Sequence, residues 1–289
     1  MTNLIEGHHC KPRILISGET GGTGASTTAK LLANFLELPL ISGGKYFRAL
    51  ANRFQVFCEQ HSDSSLDTQY LSFLYLYEER FAKDGLAGIS TLIEEGIRDG
   101  AHGQTLARFS QAIEASSKRN GGVNPIWDYV VDQKTIDDAL RQSGFVWEAK
   151  LAVLAFEIDQ LAAVASRSDS AIPFLRVVLT LDPVVAAQRV GSREGREVAV
   201  DEIMVRKQHD FARYGHLYQI GGQKVMHEDL ARFADIAINT ENTDPNEVVA
   251  KILKEYLRLL SAFGEFEKSL ALPVIDEIWR VLKQLQSVS

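Results

Sequence analysis

The sequence predicts an α/β fold: a parallel sheet flanked by helices, with a helical insertion and extra helices at the C-terminal end. Three observations point there. An apolar run at 13–17 (Arg-Ile-Leu-Ile-Ser) stops at a glycine-rich loop, and Ala29, Leu31, Leu32, Phe35 and Leu36 then recur at helical spacing. A second apolar run, 174–181 (Phe-Leu-Arg-Val-Val-Leu-Thr-Leu), is the strongest strand pattern in the chain. Between them, from about 49 to 130, the pattern is helical and contains no buried-strand signal.

The elements follow in order. Residues 38–42 read as a short strand, after which Gly43-Gly44 turns the chain into a helix. Loops at 62–65, 100–103 and 119–125 punctuate the helical middle. Residues 145–147 and 235–239 are two further short strands. Pro183 opens a helix to about 193, residues 200–218 form a long charged helix, and Pro245 opens another to about 260. Residues 272–285 form a final amphipathic helix, with Leu272, Val274, Ile275, Ile278, Leu282 and Leu285 as its apolar stripe. No repeat, low-complexity tract or flexible linker interrupts the chain. The expected organisation is one domain over 1–289, with its core at about 12–48 and 128–260. The helical insertion is expected at about 49–127 and the C-terminal extension at about 261–289.

With 289 residues, 45% of them hydrophobic and 24% charged, the chain can bury a sizeable core. Its 31 Lys and Arg against 38 Asp and Glu give a net charge of -7, which argues against a sequence-independent duplex-DNA binder and leaves room for a local anion pocket. Two cysteines, Cys10 and Cys58, exclude a disulfide framework and a four-cysteine zinc site. No apolar run has membrane-spanning length and residues 1–9 lack a signal-peptide pattern, so a cytoplasmic protein without a membrane partner is expected. His8-His9-Cys10 reads as a frayed terminus, and His61, His102, His209, His216 and His227 show no metal-ligand spacing. Trp127, Trp147 and Trp279 are assigned to packing, and Tyr70, Phe73, Leu74, Tyr75, Leu76 and Tyr77 to a buried helix face.

The segment Gly18-Glu-Thr-Gly21-Gly22-Thr23-Gly24-Ala25-Ser26-Thr27 sits between first strand and first helix, where a phosphate-binding loop belongs. Glycines let the backbone N–H groups converge on phosphate oxygens, and the helix start adds its positive dipole end. A hydroxyl there, Ser26 or Thr27, can hold Mg2+. The standard spacing ends in Gly-Lys-Ser/Thr; here Ala25 replaces the lysine and Gly18 falls one position early. A generic glycine-rich turn is the competing reading.

Four blocks in sequence order resemble the cytidylate kinases, especially the short archaeal type. After the glycine loop comes Leu40-Ile-Ser42-Gly43-Gly44-Lys-Tyr-Phe47-Arg48, similar to a block in which Ser/Thr and Gly precede an aromatic-Arg pair. Asp132-Gln-Lys134 and Glu148-Ala149-Lys150 resemble Asp-x-Arg-Gln and Glu-Gly-Arg, with each arginine changed to lysine. The third block runs from Asp182-Pro183 through Arg193-Glu194-Gly195 to a helix bearing Arg206, Asp210 and Arg213. Those three are spaced i, i+4 and i+7, on one helix face. Asp235-Ile-Ala-Ile-Asn239-Thr240 resembles the last strand of nucleoside-monophosphate kinases.

The resemblance implies a P-loop kinase fold and transfer of the γ-phosphoryl group of Mg-ATP to a small-molecule acceptor, a nucleoside monophosphate such as CMP or dCMP. It implies no nucleic-acid polymer as partner. Gly18, Gly21, Gly22, Thr23, Gly24, Ala25, Ser26 and Thr27 would hold the donor, with Ser26 at Mg2+. Ser42, Gly44, Arg48, Asp132, Lys134, Lys150 and Arg193 would bind the acceptor. Arg206, Asp210 and Arg213 would act catalytically from a lid. Three features depart from the family: Ala25, the long helical insertion, and the extension beyond 260. A nucleotide-binding protein without efficient transfer, working as a sensor or partner-binding module, and a kinase for another metabolite are the alternatives.

Overall fold

The strand β1 (Arg13–Gly18) lies at the centre of a five-stranded sheet in the computed structural model, which describes residues 11–100, 105–119, 126–161, 173–262 and 265–287. Ile14, Leu15 and Ile16 are all fully buried, so both faces of the strand are covered. That is why its apolar run is continuous and does not alternate. The other strands are β2 (Leu40–Ser42), β3 (Phe145–Glu148), β4 (Leu175–Thr180) and β7 (Ile236–Asn239), in the order β2-β3-β1-β4-β7. Every pair is parallel, with Ile14 opposite both Val146 and Leu175. A two-stranded hairpin, β5 (Gln219–Ile220) and β6 (Gln223–Lys224), stands apart from this sheet.

The described chain divides into two units, 1–42 with 136–289 and 43–135. In the first, α1 (Ala25–Phe35), α10 (Pro245–Ser261) and α11 (Glu265–Gln286) share one core with the sheet. Leu32 and Leu36 meet Ile14, Val177, Ile252, Tyr256, Val274 and Ile278 there. A second cluster joins α7 (Pro183–Glu194) to the start of α8 (Val200–Leu217) through Ala186, Val190, Val198 and Ile203. Capping fixes where these helices begin: Asp182 accepts from the Val184 N–H and Asp244 from the Asn246 N–H, each just before a proline at the first helical position. The short helix α9 (Glu228–Arg232) precedes β7.

The unit 43–135 is helical: α2 (Gly43–Gln60), α3 (Leu66–Asp84), α4 (Leu86–Asp99), α5 (Thr105–Arg119) and most of α6 (Ile126–Leu140). Its core is aromatic. Phe54, Tyr70, Phe73, Phe109 and Trp127 are buried together, and the Trp127 indole N–H donates to the Tyr70 hydroxyl at 3.0 Å. Helices α2 and α4 approach so closely that a Cβ on Gly96 would fall 1.9 Å from the Ala49 carbonyl oxygen.

Several expectations need correction. Trp279 is 52% exposed and packs on the surface. On α11 the buried stripe is Ala271, Val274, Ile278, Val281, Leu282 and Leu285, while Leu272, one residue out of phase with it, is exposed. The helix also starts earlier than 272 and carries Pro273 inside it. On α3, Tyr70, Phe73 and Tyr77 are buried at helical spacing, but Tyr75 falls between them and faces solvent. The His8-His9-Cys10 segment and His102 lie outside the described residues, as do parts of the loops expected at 100–103 and 119–125. Among the described residues no helix is long and apolar enough to cross a membrane, and no group of three or more His, Cys, Asp or Glu is arranged to hold a metal ion.

Candidate active site

Strand β1 runs into a tight loop over residues 19–24 and then into α1, at the end of the sheet where parallel α/β folds bind ligands. Gly24 caps α1 in the left-handed conformation (φ 81°) and supplies no side-chain acceptor, so the first N–H groups of the helix stay available. No acidic side chain occupies that first turn. Gly22 is also left-handed (φ 86°), and a Cβ there would press to 3.1 Å from the Ala186 carbonyl oxygen, so the loop lies directly on α7. The early position of Gly18 is thus absorbed by a loop with two left-handed glycines.

Side chains from distant elements hold this loop. The Thr23 hydroxyl donates to the Thr20 carbonyl at 3.3 Å, and the Thr240 hydroxyl donates to the Thr23 carbonyl at 3.0 Å. Arg189 on α7 donates to the carbonyls of Thr240 and Glu241, both at 2.9 Å, and to that of Gly22 at 3.4 Å. Its guanidinium therefore ties α7, the glycine loop and the segment after β7 together. A cleft of about 380 Å3 opens over the loop. It is lined by Gly18, Gly21, Gly22, Thr23, Gly24, Ala25, Ser26 and Thr27, and by Glu148, Lys150, Arg189 and Arg193. Thr20 also lines it, and its buried hydroxyl has no hydrogen-bond partner among the described residues.

Glu148, at the end of β3, gives the cleft its carboxylate. The Ser26 hydroxyl donates to one of its oxygens at 3.1 Å and the Ser42 hydroxyl to the other at 2.8 Å. One acidic group thereby bridges the start of α1 and the end of β2. Ser26 Oγ and the Glu148 carboxylate are hard oxygen donors side by side, the kind of pair that suits Mg2+.

Helix α8 carries the remaining charges. Asp210 pairs with Lys150 at 2.9 Å and with Arg213 at 3.2 Å. Arg206 does not join them. It is held by Glu202 and, at 3.3 Å, by Glu194, while Arg196 pairs with the same two carboxylates. In that network Arg196 holds the Glu202 carboxyl down to about 2, and Arg206 lowers that of Glu194. Nearer the loop, the Lys207 amine meets the Glu19 carboxylate at 2.6 Å. The His227 Nε2 stands 3.0 Å from the same oxygen, outside hydrogen-bond geometry, and burial followed by the Lys207 charge lowers its pKa.

The residues expected at the acceptor divide between the two units. Lys150 and Arg193 line the cleft, and Ser42 reaches Glu148. Arg48, exposed on α2 beside Gly44, and Asp132 and Lys134 on α6 belong to the helical unit. There the buried Lys134 amine sits 5.6 Å from the centre of the Tyr46 ring, and the Asp132 carbonyl accepts from the Thr135 hydroxyl at 2.9 Å.

The cytidylate kinase of Methanobrevibacter smithii is 24% identical over 249 residues, 86% of this chain and 99% of that protein. The cytidylate kinase of Archaeoglobus fulgidus is 26% identical over 244 residues, 84% of this chain and 93% of that one. The chain is similar to archaeal cytidylate kinases. No protein-family profile matches it. Solved structures of an uncharacterized protein from Eubacterium ventriosum and of TT1252 from Thermus thermophilus superpose with TM-scores of 0.41 at 16% identity; the first covers 85% of this chain and 98% of its own.

Local sequence gives no role to Glu148, Arg189, Glu19 or Lys207. Glu148 carried the one available signal, as an acidic residue closing a buried strand. Its serine partners lie 122 and 106 residues away, so pattern alone could not pair them.

Proposed function

We propose that the protein transfers the γ-phosphoryl group of Mg-ATP to a nucleoside monophosphate, with CMP or dCMP as acceptor. The observation that carries this reading is the cleft itself. A glycine loop and an uncapped helix start face Lys150, Arg189 and Arg193, with the Ser26–Glu148 oxygen pair at its edge. Such transfer requires little covalent work from the protein; two anions must be aligned and their charge offset as the phosphoryl group moves. Residues 21–27 offer backbone N–H groups to the donor phosphates. The orphaned Thr20 hydroxyl and the absence of acidic side chains in the first turn of α1 fit an anionic occupant. Mg2+, when bound, would neutralise donor phosphate charge, and Ser26 with Glu148 would hold it. Lys150 and Arg193, which line the same cleft, serve the phosphates. Arg48 and Lys134 are assigned to the acceptor phosphate, and Arg213, oriented by Asp210, to the transferring group, with Arg206 held outside it by Glu202 and Glu194. The helical unit is read as an insertion that carries acceptor residues.

Ala25 supports a second reading, a nucleotide-binding protein with little transfer, because the loop lacks its lysine. An ADP-release assay with Mg-ATP across nucleoside monophosphates separates the two. CMP- or dCMP-dependent turnover that falls in Ser26→Ala and Arg48→Ala supports the kinase. Folded protein that binds Mg-ATP but turns over no acceptor supports the second reading.

A further inference from the structure

The glycine loop itself carries an acidic residue, Glu19, next to the phosphate cleft. Gly18 and Thr20 line the cleft, and between them Glu19 points its carboxylate the other way, onto α8. Its backbone is fixed, because the Glu19 N–H donates to the Leu179 carbonyl at 2.9 Å at the end of β4. The side chain is held by Lys207, whose amine is 2.6 Å away and whose side chain is only 18% exposed. His227, 3.0 Å from the same oxygen, closes the site from the segment after β6 and has a ring edge-on to Phe211 of α8. Its pKa is lowered, so at neutral pH Lys207 is the cation that offsets Glu19.

We propose that Lys207 is a positioning residue for donor binding: by pairing with Glu19 it turns a carboxylate out of the phosphate cleft and docks α8 against the loop. The inference rests on the kinase reading for the nature of the donor. Ala25 adds to its weight. With no lysine in the loop itself, an uncompensated carboxylate beside the donor phosphates would act against fewer local positive charges. Lys207 is not assigned a contact with the phosphates, since it does not line the cleft.

A double-mutant cycle on the full chain tests this, with Mg-ATP binding by calorimetry and amide hydrogen exchange across α8 in the ligand-free protein. Lys207→Met should weaken Mg-ATP binding by about tenfold, because Glu19 is left unpaired next to the loop. Glu19→Gln should bind within about twofold of the parent, and the double variant should recover to about the same level. All three variants should exchange faster along α8. A double variant as weak as Lys207→Met would overturn the proposal and make Lys207 a direct phosphate ligand. Unchanged binding in Lys207→Met would also overturn it, since Lys207 would then have no part in donor binding. If the parent protein binds no Mg-ATP, the kinase reading fails. The exchange data then decide the docking role alone: unaltered α8 protection in Lys207→Met and Glu19→Gln removes it.

Discussion

Lys150, just beyond the end of β3, pairs with Asp210 on α8 at 2.9 Å. The same carboxylate holds Arg213, so one acidic group links the C-terminal end of the sheet to the cationic face of α8. Both partners of the Lys150 pair are about a quarter exposed, at 26% and 27%, so its share of stability is small. Asp210→Asn should cost under about 1 kcal/mol and lower the melting temperature by only ~2–4 °C. Acceptor-dependent kcat should fall at least about tenfold, because Arg213 and Lys150 lose their common anchor. Steady-state kinetics beside a thermal melt reads both; unchanged kcat would detach Asp210 from the site.

Thr240→Val keeps the shape of a buried side chain but removes the hydroxyl that donates to the Thr23 carbonyl. Leaving that group without its donor should cost about 1–2 kcal/mol, read as a lowered midpoint in urea. Binding of Mg-ATP should weaken as well, since the glycine loop loses a tie. Calorimetry that finds destabilisation with parental affinity would limit Thr240 to stability.

Gly96→Ala examines the helical unit separately. The added Cβ would meet the Ala49 carbonyl at 1.9 Å, and backbone atoms cannot yield as a flexible side chain would. The Asn52 side-chain amide, which donates to the Gly96 carbonyl at 3.0 Å, would be displaced too. The expected loss is about 3 kcal/mol, measured by chemical denaturation. A midpoint within error of the parent would mean that α2 and α4 can separate without cost.

The carboxylates around Arg196 and Arg206 give a pH signature. Arg196 holds Glu202 down to about 2, and Arg206 first, then Arg196, lowers Glu194. A carboxylate depressed in the folded state contributes stability above its unfolded pKa, near about 4.3, and loses it as pH falls through the folded value. The network should therefore be intact at pH 5 and should release Arg206 between about pH 4 and 2, more readily in high salt. Side-chain carboxyl NMR follows this directly. A Glu202 midpoint above 4 would show that the arginines do not hold it.

The central sheet was legible because burial on two faces leaves a mark in one dimension: Ile14 to Ile16 and Val177 to Leu179 are apolar without alternation. Pro183 and Pro245 marked helix starts for a local reason, their fixed φ. What stayed hidden was pairing. Lys207 and Glu19 are 188 residues apart, and nothing in either local sequence announces the other. The β5–β6 hairpin, two residues per strand, is too short for any periodicity to register. Trp279, expected in packing, is turned outward by the phase of the α11 stripe.

The strand order has a consequence for the order in which the protein can be assembled. Both neighbours of β1, β3 and β4, lie more than about a hundred residues downstream of it, whereas the helical unit draws only on the continuous segment 43–135. On a ribosome β1 is made before its neighbours and must wait, unpaired and fully apolar at Ile14 to Ile16, until the chain has grown past residue 148 to supply β3 and past residue 180 to supply β4. The helices in between can fold during that interval. Nascent chains truncated near residue 140 should thus carry a folded helical middle and an exposed sticky N-terminus, the stage at which chaperone capture has most to act on.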